Sequence, residues 1–262
     1  MHSRSSGSCG HSTWDNGEME NTSLIALSRQ GTLRRQMNVV AHNIANMNTA
    51  GFKGGKMMFI QHLVKIPGGS RISGDQLTFV RDIATARDLS EGPLEKTGNP
   101  LDVALRGDGY FVIETEGGER YSRSGRFRLD EGGQLVTQQG DPVLSEGGQP
   151  FFFSTEDKDI SIARDGTVAT ENGELGRIRV VEFENQQKLQ VTAGGLYETE
   201  EQPEDVDSPD VVQGMLEGSN VEPIIELTRM IEVSRSYQAA NKFIEREDER
   251  MRKVVRELAS TE

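Results

Sequence analysis

The sequence predicts an α+β protein: long N- and C-terminal helices pair as a coiled coil, and a central all-β domain separates them along the chain. Two observations support this prediction. Apolar residues recur at spacings of three and four near both ends, which is the pattern of a coiled-coil seam. Between these ends, short apolar runs alternate with glycine-rich turns, which is typical of a compact domain of short strands.

Residues 1–18 come before the first helical pattern and are polar, with many serines and glycines. They lack the apolar middle region of a secretory signal. They contain Cys9, the only cysteine, together with His2 and His11, but three candidate ligands in a polar tail make a weak case for a metal site. We therefore predict a disordered extension that holds no metal ion.

The first helix is predicted over residues 19–50. Its apolar seam follows spacings of four, three, four and three, and consists of Leu33, Met37, Val40, Ile44 and Met47. The helix must end within 42–54, because asparagine tolerates and glycine prefers left-handed backbone angles, and both are frequent there. We define the helix-exit turn by the residues expected to redirect the chain: Asn43, Asn46, Asn48, Gly51, Phe52 and Lys53. An extended connecting region is predicted over 51–96.

The all-β domain is predicted over residues 97–197. The run from Tyr110 to Glu114 is continuously apolar until its last residue, which indicates a buried strand. Over 126–129, arginines alternate with Phe127 and Leu129, so we expect the arginines on the solvent face of a half-buried strand.

An acidic segment follows the β domain. No Lys or Arg occurs between Lys188 and Arg229, whereas ten acidic residues fall in that interval. Pro203 and Pro209 oppose a helix there. The acids lack the spacing of a calcium loop, so a cation site is the weaker interpretation. We predict an extended, solvated linker over 198–218.

The second helix is predicted over residues 219–262. Residues 219–222 have a capping-box sequence, and Pro223 suits a first helical turn. Its seam consists of Met230, Val233, Tyr237, Ala240, Ile244, Met251, Val254 and Leu258. Periodicity leaves two interpretations open. The two helices form a plain antiparallel hairpin that supports the β domain, or the pair also packs laterally against copies of itself or relatives.

Composition disfavours several functional classes. A net charge of −13 argues against nucleic acid as a partner, and the lack of an apolar run of about 18 residues argues against membrane insertion. His42 and His62 are the only histidines after residue 18, and no nucleophile elbow or phosphate-binding loop accompanies them. We therefore expect no catalytic residue, no cofactor and no metal. A secreted β-domain binding module remains the other alternative, although it would not need seams at both ends.

Four separated stretches, in order, resemble one known family. Residues 42–54, HNIANMNTAGFKG, resemble the N-terminal signature of the bacterial flagellar axial proteins, those of rod and hook. Their C-terminal signature is similar to LEGSNVEPIIELTRMIEVSRSYQAANKFIE, and their β-domain motifs are similar to GPLEKTGNPLDVALRGDGYFVIE and RYSRSGRFRLDEGGQLVTQQGDPVL. The resemblance extends from Met19 to near Glu262.

The resemblance implies a structural subunit of the flagellar rod, and within the family the chain most resembles the proximal-rod members. Its length supports this, since hook proteins usually carry larger inserted domains. A distal-rod or hook-type axial protein is the alternative. The terminal helices would polymerise into a hollow tube that transmits torque and conducts export, and the helix-exit turn would direct the chain outward from its wall. The implied partners are copies of itself, other rod proteins, the surrounding rings and the flagellar export apparatus. The implied location is the periplasmic rod, reached without a cleaved signal.

Overall fold

The computed structural model describes residues 16–65, 76–154, 157 and 159–260. As predicted, the described chain is α+β, with a helix towards each end and a β-rich region between them. The helices are α1 (Asn16–Ala45) and α2 (Pro223–Ala259). The strands are β1 (Gly55–Lys65), β2 (Gln76–Arg87), β3 (Leu94–Lys96), β4 (Val103–Arg106), β5 (Tyr110–Thr115), β6 (Gly118–Ser122), β7 (Arg128–Leu129), β8 (Leu135–Val136), β9 (Ser161–Ile162), β10 (Thr167–Thr170), β11 (Gly173–Arg177), β12 (Val180–Glu182), β13 (Gln190–Val191), β14 (Tyr197–Glu198), β15 (Glu204–Asp205), β16 (Asp210–Gln213) and β17 (Met215–Glu217).

The boundaries of the helices differ from the predicted ones. Residues 16–18, which the sequence places in a disordered extension, belong to α1, because adding a turn to an existing helix costs far less than starting one. Residues 1–15, with Cys9, lie outside the described residues. At its other end α1 stops at Ala45, and a run of turns continues to Gly51. No described helix is both long and apolar enough to cross a membrane.

The chain forms two compact units. Among the described residues, the first unit contains 16–37, 59–65, 76–83 and 231–260, and the second contains 38–58 and 84–230, without the few undescribed positions near 156. In the first unit, the two helices exchange polar contacts: the Gln30 Nε2 amide donates to Asn241 Oδ1 at 2.6 Å and lies 3.4 Å from Tyr237 Oη. Leu33 and Val233 are buried.

In the second unit, a six-stranded sheet has the order β13-β14-β6-β5-β12-β15. The central strand β5 is buried on both faces, as its continuous apolar run predicts. Phe111 and Ile113 point into one core cluster, and Tyr110 and Val112 point into the other. Smaller sheets complete the unit: β3 with β17, β4 with β16, β7 with β8, and β9 to β11. Phe127 is buried while its arginine neighbours are exposed, which confirms the predicted alternation.

The segment 198–218 differs from the predicted solvated linker. Its strands β15, β16 and β17 pair with β12, β4 and β3, respectively, so the segment forms part of the folded β region. The reason is its apolar minority: Val211 and Leu216 are each 3% exposed and fill core positions between acidic neighbours. The charge count of the segment concealed this alternation.

Candidate functional site

The helix-exit turn begins where α1 runs out of helical hydrogen bonds. The backbone amide of Asn46 donates to Asn43 O at 3.1 Å, and its side-chain amide donates to His42 O at 2.9 Å. Thr49 N then donates to Asn46 O at 3.1 Å. These short-range bonds satisfy carbonyls at the helix end, as such ends require. Gly51 has φ of 69°, the left-handed conformation that the asparagine- and glycine-rich sequence predicts.

Asn43 fastens the end of α1 to the start of β1. Its side chain is 3% exposed. Its Oδ1 accepts from Gly55 N, and its Nδ2 donates to Gly55 O, both at 2.9 Å, so one amide side chain pairs with one residue as a neighbouring strand would. Nδ2 also donates to Glu226 Oε2 at 3.2 Å, in the first turns of α2. One buried side chain therefore connects α1, β1 and α2.

Asn220 makes a second connection of the same kind. Its Oδ1 accepts from Gly54 N at 2.7 Å, and its Nδ2 donates to Asp88 O at 2.9 Å and Ser90 O at 3.0 Å. The predicted capping box is not formed around it, because α2 begins only at Pro223 and Ser219 Oγ accepts from Val221 N instead. Asn220 thus binds the chain just before β1 and just after β2.

Beneath the turn lies a buried group that we name the ion triad: Lys53, Arg123 and Glu217. Their exposed fractions are 6%, 4% and 2%, respectively. Lys53 Nζ lies 2.5 Å from Glu217 Oε1 and donates to Ser90 O at 2.8 Å. Arg123 Nε donates to Glu217 Oε2, and its guanidinium also donates to Gly109 O and, at 3.2 Å, to Leu105 O. Both carboxylate oxygens are therefore bound to cations.

The electrostatics of the ion triad follow from burial and charge. Burial alone would raise the pKa of Glu217, but Arg123 and Lys53 hold it below its ordinary value. Burial is also the main reason why the pKa of Lys53 is lowered, and the nearby positive charge of Arg123 adds to that effect. The hydrogen bond that Lys53 donates to Glu217, together with the negative charge of Glu217, acts in the opposite direction and raises the pKa of Lys53. The two cations are thus unfavourable neighbours that the single carboxylate holds together.

The backbone packs tightly against the ion triad. Gly51 N donates to Glu217 O at 2.8 Å, and Gly92 N donates to Glu217 Oε1 at 2.9 Å. A Cβ added to Gly51 would lie 2.7 Å from the carbonyl carbon of Arg123 and from Ser124 N. Because both are backbone atoms, a side chain at Gly51 cannot be accommodated by a rotamer change.

A cavity of about 510 Å³ opens beside the helix-exit turn, within the second unit. Phe52, Arg126, Gln138 and Tyr197 are among its lining residues. The lining contains no Asp, Glu or Cys, so it offers no acid–base pair of carboxylates and no thiol nucleophile. Among the described residues, no group of three or more His, Cys, Asp or Glu side chains is placed to hold a metal ion.

The structure brings together only some of the predicted site residues. We call the contact between the helix-exit turn and the ion triad the junction. Three predicted residues are buried there: Asn43, Gly51 and Lys53. Phe52 is half-buried, with its ring 5.4 Å from that of His42, and Asn48 is exposed. Sequence reasoning missed Arg123, Glu217 and Asn220. In the sequence, Glu217 is one of many acids in its segment, and Arg123 is one of several arginines close together. Nothing in the local pattern distinguishes them, because the contacts that join Glu217 to Lys53 and Arg123, and Asn220 to Gly54, span 94 to 166 residues.

The predicted seam residues divide by position. Leu33, Val40 and Val233 are buried. The seam residues that are half-buried are Met37, Ile44, Met47, Met230, Tyr237, Ala240 and Ile244. Met251 and Val254 are each 45% exposed, and the side chain of Leu258 lies outside the described residues. The distal part of the α2 seam is thus uncovered in the single chain.

Asp88 provides a prediction about pH. Hydrogen bonding from Lys56, whose Nζ lies 2.5 Å away, together with bonds from Ser90, lowers the pKa of this carboxyl to about 2. A carboxyl whose pKa is lower in the folded state stabilises the fold above its unfolded pKa, about 4, and loses that contribution as the pH falls towards 2. Asp88→Asn should therefore flatten the decline of the melting temperature between about pH 4 and pH 2. The exposed Glu116→Gln is the control, and parallel curves for Asp88→Asn and wild type would contradict the assignment.

Comparison with known proteins gives consistent matches along the chain. Three family profiles match: "Flagella basal body rod protein" over residues 24–53, "Flagellar hook protein FlgE/F/G D1 domain" over 104–170, and "Flagellar basal body rod FlgEFG protein C-terminal" over 212–257. The first contains the helix-exit turn up to Lys53, and the last contains Glu217 and Asn220.

Similar proteins match over most of their length. The flagellar basal-body rod protein FlgF of Caulobacter vibrioides is 38% identical over 242 residues, which are 92% of this chain and 98% of that protein. FlgF of Rhizobium meliloti is 34% identical over 81% of this chain and 87% of its own. The rod protein FlgG of Bacillus subtilis is 31% identical over 87% and 96%, respectively. The chain therefore belongs to the flagellar basal-body rod protein family, as a FlgF-like structural subunit of the rod.

Proposed function

We propose that this subunit belongs to the proximal rod and polymerises through its terminal helices into a hollow tube, which transmits torque and conducts export. The position in the proximal rod is supported by the similarity to two FlgF proteins along most of the chain. The similarity to FlgG proteins keeps the distal rod as the alternative position. A hook-type protein would need a larger insertion in the β region.

The observation that carries polymerisation is the apolar surface that α2 leaves in water. Ile224 is 81% exposed and Leu227 is 50% exposed, near the start of the helix. Met251, Val254 and Val255, near its other end, are 45%, 45% and 63% exposed. Each group consists of neighbours within about one helical turn, and Met251 and Val254 belong to the α2 seam. Exposed apolar side chains grouped in this way mark a surface that is covered in an assembly. The burial of these residues by neighbouring subunits would supply the driving force for polymerisation.

The polymer interface that we propose is the pair of seams, with α1 and α2 packed as a coiled coil. The polar contacts of Gln30 with Asn241 and Tyr237 support such a pairing, because they cross from one helix to the other. A polar pair of this kind within an apolar seam fixes the register of two helices at some cost in stability. The seam residues named above are the proposed contacts, and the helix-exit turn would lead the chain from the tube wall to the β domain.

The remaining parts of the proposal concern location and partners. The subunit would leave the cell unfolded through the flagellar export apparatus, without a cleaved signal, and would assemble in the periplasm. Its partners would be copies of itself, other rod proteins and the surrounding rings. We propose neither nucleic acid binding nor membrane insertion for this subunit.

The test is the location of the chain in purified basal bodies. An epitope inserted in the exposed turn at Gly147 and Gly148 should be detected on the rod segment next to the membrane ring, in a strain that makes only the tagged chain. The same tag on FlgG, which is a distal-rod protein in this proposal, should label the segment farther from the membrane. Label confined to the distal segment would assign the chain to the alternative position. Complete basal bodies without any label would contradict the rod assignment.

A further inference from the structure

The ion triad joins three parts of the chain that are far apart in sequence. Lys53 follows the end of α1, Arg123 follows β6, and Glu217 ends β17. The contacts of Glu217 with Lys53 and Arg123 span 164 and 94 residues. The two cations therefore come first along the chain, and Glu217, the only carboxylate in the described part of the chain that hydrogen-bonds both of them, comes last.

The two cations have few substitutes for Glu217. Lys53 otherwise donates to one carbonyl, that of Ser90, and Arg123 otherwise donates to the carbonyls of Gly109 and Leu105. Carbonyl oxygens satisfy hydrogen bonds but do not neutralise charge. Without Glu217, the negative charge left to act on Lys53 would be that of the exposed Glu91, which accepts from Gly107 N instead. Closing the junction would then bury two like charges together, and a poorly compensated buried charge is strongly destabilising.

The segment that carries Glu217 also completes the backbone pairing of the junction. Gly51 N donates to Glu217 O, and Gly218 N donates to Pro93 O, each at 2.8 Å. Strand β17 pairs with β3, with Glu217 opposite Leu94. The backbone hydrogen bonds therefore stabilise the closed junction once residue 217 is in place. Without residue 217, the two buried cations destabilise it.

We propose that the ion triad is a completion checkpoint, in which the helix-exit turn cannot close until Glu217 has arrived to neutralise Lys53 and Arg123. A chain whose last part is still unfolded keeps its junction open, because closure would bury the two cations unpaired. The use of this checkpoint in keeping an incompletely exported chain unfolded rests on the proposed function. The dependence of junction closure on the charge of Glu217 does not rest on it.

The checkpoint is tested on the full chain by hydrogen exchange of the backbone amides of Gly51 and Gly54, with those of Val112 and Ile113 in β5 as the internal reference. Glu217→Gln keeps the shape of the side chain and removes its charge. We expect the junction amides to exchange at least about a hundredfold faster, with the reference amides little changed. The exposed Glu95→Gln, on the strand that pairs with β17, should leave both sets within about threefold of wild type.

A second variant distinguishes the effect of burying unpaired cations from the effect of losing the hydrogen bonds and packing of Glu217. In Lys53→Met/Glu217→Gln, one buried cation is gone, so at least about tenfold of the lost protection should return if cation burial causes the opening. If Glu217 acts only through hydrogen bonds and packing, the second substitution should add to the loss. Either no change in Glu217→Gln or a further loss in the double variant would overturn the proposal. If Glu217→Gln fails to fold, the double variant must fold for the proposal to stand. Because exchange is measured on the isolated chain, a failure of the chain to enter the rod would not alter this result.

Discussion

Replacing Gly51 with alanine should destabilise the second unit by about 2–5 kcal/mol, the sum of two penalties. The left-handed conformation at φ of 69° costs a residue with a side chain about 1–2 kcal/mol. The added Cβ would also lie 2.7 Å from backbone atoms of Arg123 and Ser124, and relieving such overpacking typically costs about 1–3 kcal/mol. At about 2–4 °C per kcal/mol, the melting temperature of the purified chain should fall clearly. Gly51→Val, with a β-branched side chain, should be worse and should impair assembly.

Gly98→Ala is the matched control, because Gly98 has φ of 75° but no atom within 4 Å of an added Cβ. It isolates the conformational penalty from the clash, so it should cost only about 1–2 kcal/mol. Equal losses in the two variants would mean that the helix-exit turn shifts away from Arg123 without resistance. In that case the close approach of the turn to the β domain is not a rigid contact.

The features that the sequence predicts well are those with local causes. The exit of α1 is marked by asparagines and glycines, whose backbone preferences act at the position where they stand, and Gly51 has the predicted angle. The buried strand β5 is equally local, since its unbroken apolar run needs two covered faces. In both cases the residue and its structural effect occupy the same few positions.

The features that the sequence does not predict depend on distant partners. Glu217 belongs to an acidic stretch that is solvated by any local measure, yet it is 2% exposed because Lys53 and Arg123 meet it. The same long-range pairing turns the predicted linker into strands, since β16 and β17 find partners in β4 and β3 more than a hundred residues earlier. A charge pattern records how many acids are present, but not which one the fold buries.

Ile244→Asp should abolish rod assembly while leaving the second unit folded. Ile244 lies in the middle of the α2 seam, one turn from Ala240 and two turns from Met251, and is half-buried in the single chain. If neighbouring subunits complete its burial, the aspartate must lose its solvation without a partner or take up a proton, and either costs several kcal/mol. Every subunit in the polymer would carry that penalty.

The matched control for Ile244→Asp is Glu245→Asp, which keeps a carboxylate at the next, exposed position. Aspartate is a weaker helix former than glutamate, so the control also carries the small loss of helix propensity, a few tenths of a kcal/mol. Cells that make Ile244→Asp as their only copy should lack complete rods and should not swim, whereas cells with Glu245→Asp should swim normally. Melting of the second unit, which does not contain Ile244, should be unchanged in both variants. Swimming cells with complete Ile244→Asp rods would show that the seam is not an assembly surface, and a helix hairpin that only supports the β domain would then be the better interpretation.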